Sequence, residues 1–157
     1  MHDSSRRIGI ISDTHGLLRP EALQKLAGCE HIVHAGDIGS PEVLQGLAAL
    51  APVTAVRGNN DCDHWARHIP HSEVIDFGGA LVHVLHDLAD IDLDPAAAGF
   101  AVVVAGHTHV PKIELRDGVL YVNPGSAGPR RFKLPVALAV MRLQGLRASA
   151  EIVELLR

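Results

Sequence analysis

A chain of 157 residues with 14 Lys and Arg against 18 Asp and Glu, a formal charge of −4, is sized for one domain and gives no electrostatic reason for a standing nucleic-acid partner. At 47% hydrophobic and 20% charged it lies well away from disordered compositions. Three Phe, one Trp and one Tyr leave the core to Val, Leu, Ile and Ala, while eleven His form a surplus of the commonest metal-binding side chain.

Arg6-Arg7 is followed by Ile8-Gly9-Ile10-Ile11 and then Ser12-Asp13, an apolar run too short for a secretory signal core. No stretch approaches the ~20 apolar residues of a membrane span, so a cytoplasmic location is expected. Ile8 to Ser12 reads as a buried strand ending in Asp13-Thr14-His15-Gly16. Pro20 to Ala27 reads as a helix with Gly28 just past its end. His31 to Ala35 is a second strand, closed by Gly36-Asp37. Ser40 is set to cap a helix that has Pro41 at its first position and runs to about Leu50. Val53 to Val56 is a third strand, leading into Arg57-Gly58-Asn59-Asn60-Asp61. This β-α-β-α-β order predicts parallel strands with ligands gathering beyond their carboxyl ends.

The pattern then changes. Cys62 to Pro70 reads as irregular; Glu73 to Phe77 and Ala80 to Leu85 form a hairpin around Gly78-Gly79, reaching His86-Asp87. A short helix is expected after Asp94-Pro95. Phe100 to Ala105 is a buried strand that delivers Gly106-His107-Thr108-His109. Hairpins follow around Asp117-Gly118, between Pro111–Arg116 and Val119–Val122, and around Gln144-Gly145, between Val136–Leu143 and Leu146–Val153. Two sheets are expected, the first half largely parallel and the second built of hairpins. Cys29 and Cys62 form no C-x-x-C pair and read as reduced thiols.

Asp13, His15, Asp37, Asn59, His86, His107 and His109 thus stand at strand ends as seven candidate ligands of oxygen and nitrogen type, with no thiolate among them. Structural zinc sites favour four tight ligands, often Cys. Seven ligands without sulfur suit two adjacent divalent ions, and mixed imidazole and carboxylate donors fit Mn, Fe or Zn better than Mg or Ca. Two such ions clamp a phosphoryl group and lower the pKa of a shared water, whose hydroxide attacks phosphorus in line with the leaving oxygen.

The motifs Asp13-Thr14-His15, Gly36-Asp37, Gly58-Asn59-Asn60-Asp61, His86 and Gly106-His107-Thr108-His109, in this order, resemble the calcineurin-like metallophosphoesterase superfamily. The short length, Val56-Arg57-Gly58-Asn59 and Asn123-Pro124-Gly125-Ser126 resemble its small bacterial and archaeal phosphodiesterases. The resemblance spans about residues 8 to 126. It implies a four-layer αββα sandwich of two mixed sheets flanked by helices. It also implies one metal on Asp13, His15, Asp37 and His109, and a second on Asp37, Asn59, His86 and His107. Asp37 would bridge the ions and act in catalysis with Asn59, while Asn59 and Asn60 would meet a small phosphodiester or phosphomonoester. The expected cofactors are two divalent ions, Mn foremost, with Fe, Zn or Ni as alternatives.

Two departures stand out. Many members of that superfamily carry His after Gly-Asn, where this chain has Asn60, whose amide does not titrate. Either the leaving group is fairly acidic or another residue such as His64 assists, although His64 reads first as an ordinary loop residue. His86-Asp87-Leu88 replaces a common His-Gly-His, and Asp87 adds bulk and charge that narrow substrate choice. The missing acid motivates an alternative reading, a catalytically weak scaffold for protein interaction like the metallophosphoesterase-like subunit of the retromer coat. A phosphoprotein phosphatase fits less well, since the chain lacks segments for a protein-substrate groove. His31, His34, His68, His71 and His83 read as structural or exposed, with His83 packing. Arg130-Arg131 reads as a solvated pair before an anion-drawing one. Asn123 to Ser126 either shapes a pocket rim or only reverses the chain.

Overall fold

Alternation inside the apolar runs decides which faces meet. In β1 (Arg6–Ile11), Ile8 and Ile10 enter one core and Ile11 another. The computed structural model describes residues 5–156. It contains α1 (Pro20–Leu26), β2 (His31–His34), α2 (Pro41–Ala48) and β3 (Val53–Ala55), as the order of runs predicts. β4 (Ser72–Phe77), β5 (Ala80–Leu85), β6 (Val102–Val104), β7 (Lys112–Arg116), β8 (Val119–Asn123), β9 (Val136–Gln144) and β10 (Arg147–Leu156) complete the strands.

They form two mixed five-stranded sheets, β10-β9-β1-β2-β3 and β4-β5-β6-β8-β7. β1, β2 and β3 are parallel, but the final hairpin returns to the first sheet and pairs antiparallel with β1, Gly9 opposite Val140. The second sheet is not hairpins alone, because β6 runs parallel to both β5 and β8. The buried faces of the sheets meet through Ile8, Ile10, Val33, Val82, Val102 and Met141. Opposite that core, Leu26 of α1 and Val43 and Leu47 of α2 cover Ile11, Ile32 and Leu138. The outer face of the second sheet carries a thinner cover, in which Leu88 and Ile91 pack on Leu85, Val103 and Val119.

Four local expectations shift. Residues 95–99 make a turn and not a helix: the Asp94 carboxylate accepts from the Ala96 and Ala97 N–H, and Gly99 turns left-handed at φ 83°. Within the stretch read as irregular, His64–His68 winds into a 3₁₀ turn. The last hairpin turns on Gly145-Leu146, since Gln144 pairs with Arg147, and Gly145 takes the positive φ that tight hairpins require. Ser40 occupies the N-cap position of α2, but its hydroxyl makes no capping bond.

His34 is fully buried in β2, so its hydrogen bonds are fixed. Its Nδ1 accepts from the Gly36 N–H, and its Nε2 donates to Thr14 Oγ1, which in turn donates to the Ile38 carbonyl. Burial, helped by the nearby His86, lowers the His34 imidazole to about 3. The unfolded chain therefore binds a proton between pH 6.5 and 3 that the folded protein refuses, so stability falls as pH drops through that window. Going from pH 7 to pH 5 should remove about 2 kcal/mol of this contribution. Urea unfolding at the two pH values checks this, and His34→Gln should flatten the dependence.

Candidate metal centre

Asp13, Asp37 and Asn59 follow β1, β2 and β3, while His86, His107 and His109 follow β5 and β6. The two sheets therefore deliver their carboxyl ends to one place. Backbone pairing continues past the strands and holds these loops together. Asp13 N–H donates to Gly36 O (3.0 Å), His15 N–H to Asp37 O (3.0 Å), Gly106 N–H to His86 O (2.9 Å) and Ala127 N–H to Ser12 O (3.1 Å). Among the described residues, seven non-glycines have positive φ, and five of them are Asp13, His15, Asp37, His107 and His109. Such backbone costs on the order of 1–3 kcal/mol per residue and concentrates where function demands it.

The side chains converge accordingly. Asp13 and Asp37 are buried, as are His86 and His109. Asp37 Oδ2 lies 3.3 Å from His86 Nε2 and 3.9 Å from His15 Nε2. Asp13 Oδ1 lies 3.3 Å from His109 Nε2 and 3.9 Å from both His15 Nε2 and His86 Nε2. Two groups have ligand atoms all within 4.8 Å of one another: Asp13, His15 and His109, and Asp13, Asp37 and His86. Asp13 belongs to both. His107 and Asn59 stand outside these groups, joined by a 3.2 Å contact between His107 Nδ1 and Asn59 Oδ1, with His107 Nε2 3.6 Å from Asp87 Oδ2.

The orphan atoms show what the cluster suits. Asp13 Oδ1, His15 Nε2, His86 Nε2 and His109 Nδ1 are buried without a hydrogen-bond partner. A buried polar atom left unsatisfied costs about 1–3 kcal/mol, so this concentration is unfavourable in a purely structural cluster. Two of the opposite atoms are oriented: Asp13 Oδ2 accepts from Ser12 Oγ (2.6 Å) and the His107 N–H (3.1 Å), and His86 Nδ1 donates to the Ala35 carbonyl (2.7 Å). Holding the far ring nitrogen this way aims Nε2 at a ligand. The donor set, imidazole and carboxylate at short range, fits divalent transition-metal ions.

Charge follows geometry. Burial pushes the Asp37 carboxyl up, but the His86 imidazole 3.3 Å away and the hydrogen bond from the Asn60 N–H pull it down to about 2, so it is ionised at neutral pH. Burial pushes the His86 imidazole down, yet the nearby Asp37 carboxylate and the hydrogen bond to the Ala35 carbonyl raise it overall. The positive charge that His86 can carry sits where a cation would replace it.

Two contributions were not read from the sequence. The buried Asp61 carboxylate accepts from three backbone N–H groups, Ile38 (3.0 Å), Gly39 (3.1 Å) and Gly58 (2.9 Å), and so fastens the β2 loop to the β3 loop. Its only sequence signal is its place three residues after Gly58. Asn60 turns inward: its N–H and Nδ2 donate to the two Asp37 oxygens at 2.9 and 3.1 Å. Asn123 shapes the site, its Nδ2 donating to Gly106 O and Thr108 Oγ1 at 3.0 Å, while Ser126 Oγ donates to Asp13 O at 3.0 Å. His64 is exposed on its 3₁₀ turn. His83 is buried against Phe100, ring centroids 5.2 Å apart. His31 bonds Thr54, and His71 bonds Arg57.

Close approach explains the glycines. A Cβ on Gly58 would collide with the Asp37 backbone N and Oδ1, and one on Gly106 would stand 2.7 Å from Asp13 Oδ2. Gly58→Ala is expected to displace the Asp37 carboxylate and weaken divalent-ion binding at least about tenfold, as losses of supporting groups around metal ligands do. Titration calorimetry with Mn reads this directly. Beside the cluster opens a cavity of about 570 Å³ lined by Arg57, Asn59, His86, Asp87 and His107 among others.

A family model described as a calcineurin-like phosphoesterase superfamily domain matches residues 7–145. The chain is 35% identical over 158 aligned positions, 93% of this chain and 91% of the relative, to a Methanothermobacter thermautotrophicus protein named a probable metallophosphoesterase. It is 30% identical over 138 positions, 76% of this chain and 82% of the relative, to a phosphodiesterase of Methanocaldococcus jannaschii. Its fold matches the crystal structure of Entamoeba histolytica Vps29 complexed with zinc, with a TM-score of 0.74 at 19% identity over 95% of this chain and 99% of that one. Among the described residues no helix is long and apolar enough to cross a membrane.

Proposed function

We infer the activity from one premise: this chain belongs to the calcineurin-like phosphoesterase superfamily. The reading is a dinuclear metal-dependent phosphodiesterase acting on a small phosphodiester, with phosphomonoesters as a secondary class. The observation that carries it is the convergence of Asp13 Oδ1, His15 Nε2 and His86 Nε2, all buried without hydrogen-bond partners, with His109 Nε2 beside the ionised Asp37. Asp13, His15, Asp37, His86 and His109 would hold the ions, with Asn59 and His107 completing the set at the mouth. Bound divalent ions supply Lewis-acid charge and bring the pKa of a bound water toward neutrality.

The chain's own residues do the positioning. Asn59 Oδ1 is engaged by His107, which leaves its Nδ2 donors for a phosphoryl oxygen. Asn60 spends both its backbone and side-chain donors on Asp37, orienting that carboxylate rather than meeting the leaving group. With no titrating group at that position, and with His64 outside the residues lining the cavity, acidic leaving groups such as 4-nitrophenol suit this site.

Removing ions with a chelator is expected to abolish cleavage of bis(4-nitrophenyl) phosphate, and Mn to restore it, with Fe, Zn and Ni as graded alternatives. Cleavage that survives exhaustive chelation overturns the proposal. Asn60 favours one second reading, a catalytically weak scaffold for protein interaction; stoichiometric ion binding with no turnover of any diester would select it.

A further inference from the structure

Residues 126 and 136 are bridged, with the Ala137 N–H donating to Ser126 O at 3.0 Å, so the segment between them is a loop with pinned ends. Its near end is tied to the backbone of Ser12, Asp13 and Thr14, the segment that carries a candidate ligand. Ser126 Oγ donates to Asp13 O, Ala127 N–H donates to Ser12 O, and a Cβ on Gly128 would collide with Thr14 O. Arg19 Nη2 donates to Gly128 O at 3.1 Å, fixing that end from below. From this anchor Pro129, Arg130, Arg131, Phe132 and Lys133 project, all exposed.

Three features of the tip are unusual. Phe132 is 94% exposed in a chain with five aromatic rings. It also holds a left-handed φ of 52°, and the turn around it is closed by the Leu134 N–H on Arg131 O. None of Arg130, Arg131 and Lys133 makes an ion pair with any described residue. An exposed ring held in a costly conformation between three free cations is a composition that stacks on a base and holds phosphate. Gly128 touches the backbone of the candidate ligand loop, and Phe132 is four residues farther on, at most about 14 Å of extended chain. A single nucleotide can bridge that interval.

We propose that the loop from Pro129 to Lys133 recognises a nucleotide arm of the phosphodiester substrate, Phe132 stacking on the base while Arg130, Arg131 and Lys133 hold phosphate oxygens. This rests on the phosphodiesterase reading and narrows its substrate class. The loop carries one aromatic ring at its tip, which favours a small ligand over a lipid surface.

Thymidine 5′-(4-nitrophenyl) phosphate and methyl 4-nitrophenyl phosphate share a leaving group and differ only in the other arm. The wild type should prefer the nucleoside ester. Phe132→Ala should lower kcat/KM for it about tenfold, through KM, and leave the methyl ester unchanged; Phe132→Tyr should restore it. Calorimetric binding of thymidine 5′-monophosphate should weaken about tenfold in Phe132→Ala, a readout that stands even if neither ester is cleaved, in which case only the catalytic reading falls. Equal kcat/KM losses on both esters, no loss on either, or unchanged nucleotide binding would overturn the proposal. So would Phe132-dependent sedimentation with phosphatidylserine vesicles without discrimination between the esters, which would assign the loop to a membrane.

Discussion

An Asp13→Asn variant is expected to fold, to lose high-affinity divalent-ion binding, and to cleave bis(4-nitrophenyl) phosphate about 10³-fold more slowly than the wild type. Asp13 is the member common to both candidate groups, and its Oδ1 faces His15, His86 and His109 with no hydrogen-bond partner. An Asn can keep its carbonyl oxygen where Oδ2 accepts from Ser12 and His107, so the local fold keeps its bonds. What disappears is the negative charge between the two groups. Metal ions contribute several kcal/mol to stabilising the charge of such a transition state, and about 4 kcal/mol corresponds to three decades of rate. Thermal melting separates loss of fold from loss of function: Mn should raise the melting temperature of the wild type and not that of the variant. Turnover within tenfold of the wild type would remove Asp13 from the metal centre.

The largest stability effect is expected at a residue outside the ligand set. Asp61→Ala removes the acceptor of three buried backbone N–H bonds, to Ile38, Gly39 and Gly58. Bonds to a charged acceptor are worth about 1.5–3 kcal/mol each, and the donors left behind lose their partners in a buried place. Partial replacement by water leaves a net loss of about 4 kcal/mol, roughly 10 °C in melting temperature for a domain of this size. Asp61→Asn, which keeps one oxygen, should lose less. Because Ile38 follows Asp37 and Gly58 precedes Asn59, the same substitution should loosen ion binding even where the variant remains folded at lower temperature. Differential scanning calorimetry with and without Mn measures both effects, and a melting shift below 2–3 °C would show that Asp61 is dispensable.

Much of this molecule is legible in its sequence because its chemistry sits at strand ends. Apolar runs such as Ile8 to Ile11 and Val102 to Val104 mark buried strands whatever they pair with, and each ends two residues before an Asp or a Gly. That is why the candidate ligands can be picked out before any fold is known. Pairing across long separations is different. Nothing in Val136 to Gln144 says that its hairpin returns to β1 rather than extending the second sheet, since a continuous apolar strand fits beside either sheet. Polar groups whose partners lie inside the fold are equally silent. Asp61 looks like any turn residue, and His34 gives away its burial only through its neighbours Ile32, Val33 and Ala35, all interior. That Asn60 braces Asp37 is a matter of side-chain direction that spacing does not encode.

The candidate centre draws Asp13 and Asp37 from one sheet and His86, His107 and His109 from the other. An ion gripped from both sides is thus a rivet through the sandwich, present only in the native chain. Loading at a hundred times the dissociation constant adds about 2.7 kcal/mol to resistance against unfolding. Scarcity of the metal would therefore shorten the protein's lifetime as well as idle it, tying its abundance to mineral supply without any dedicated sensor.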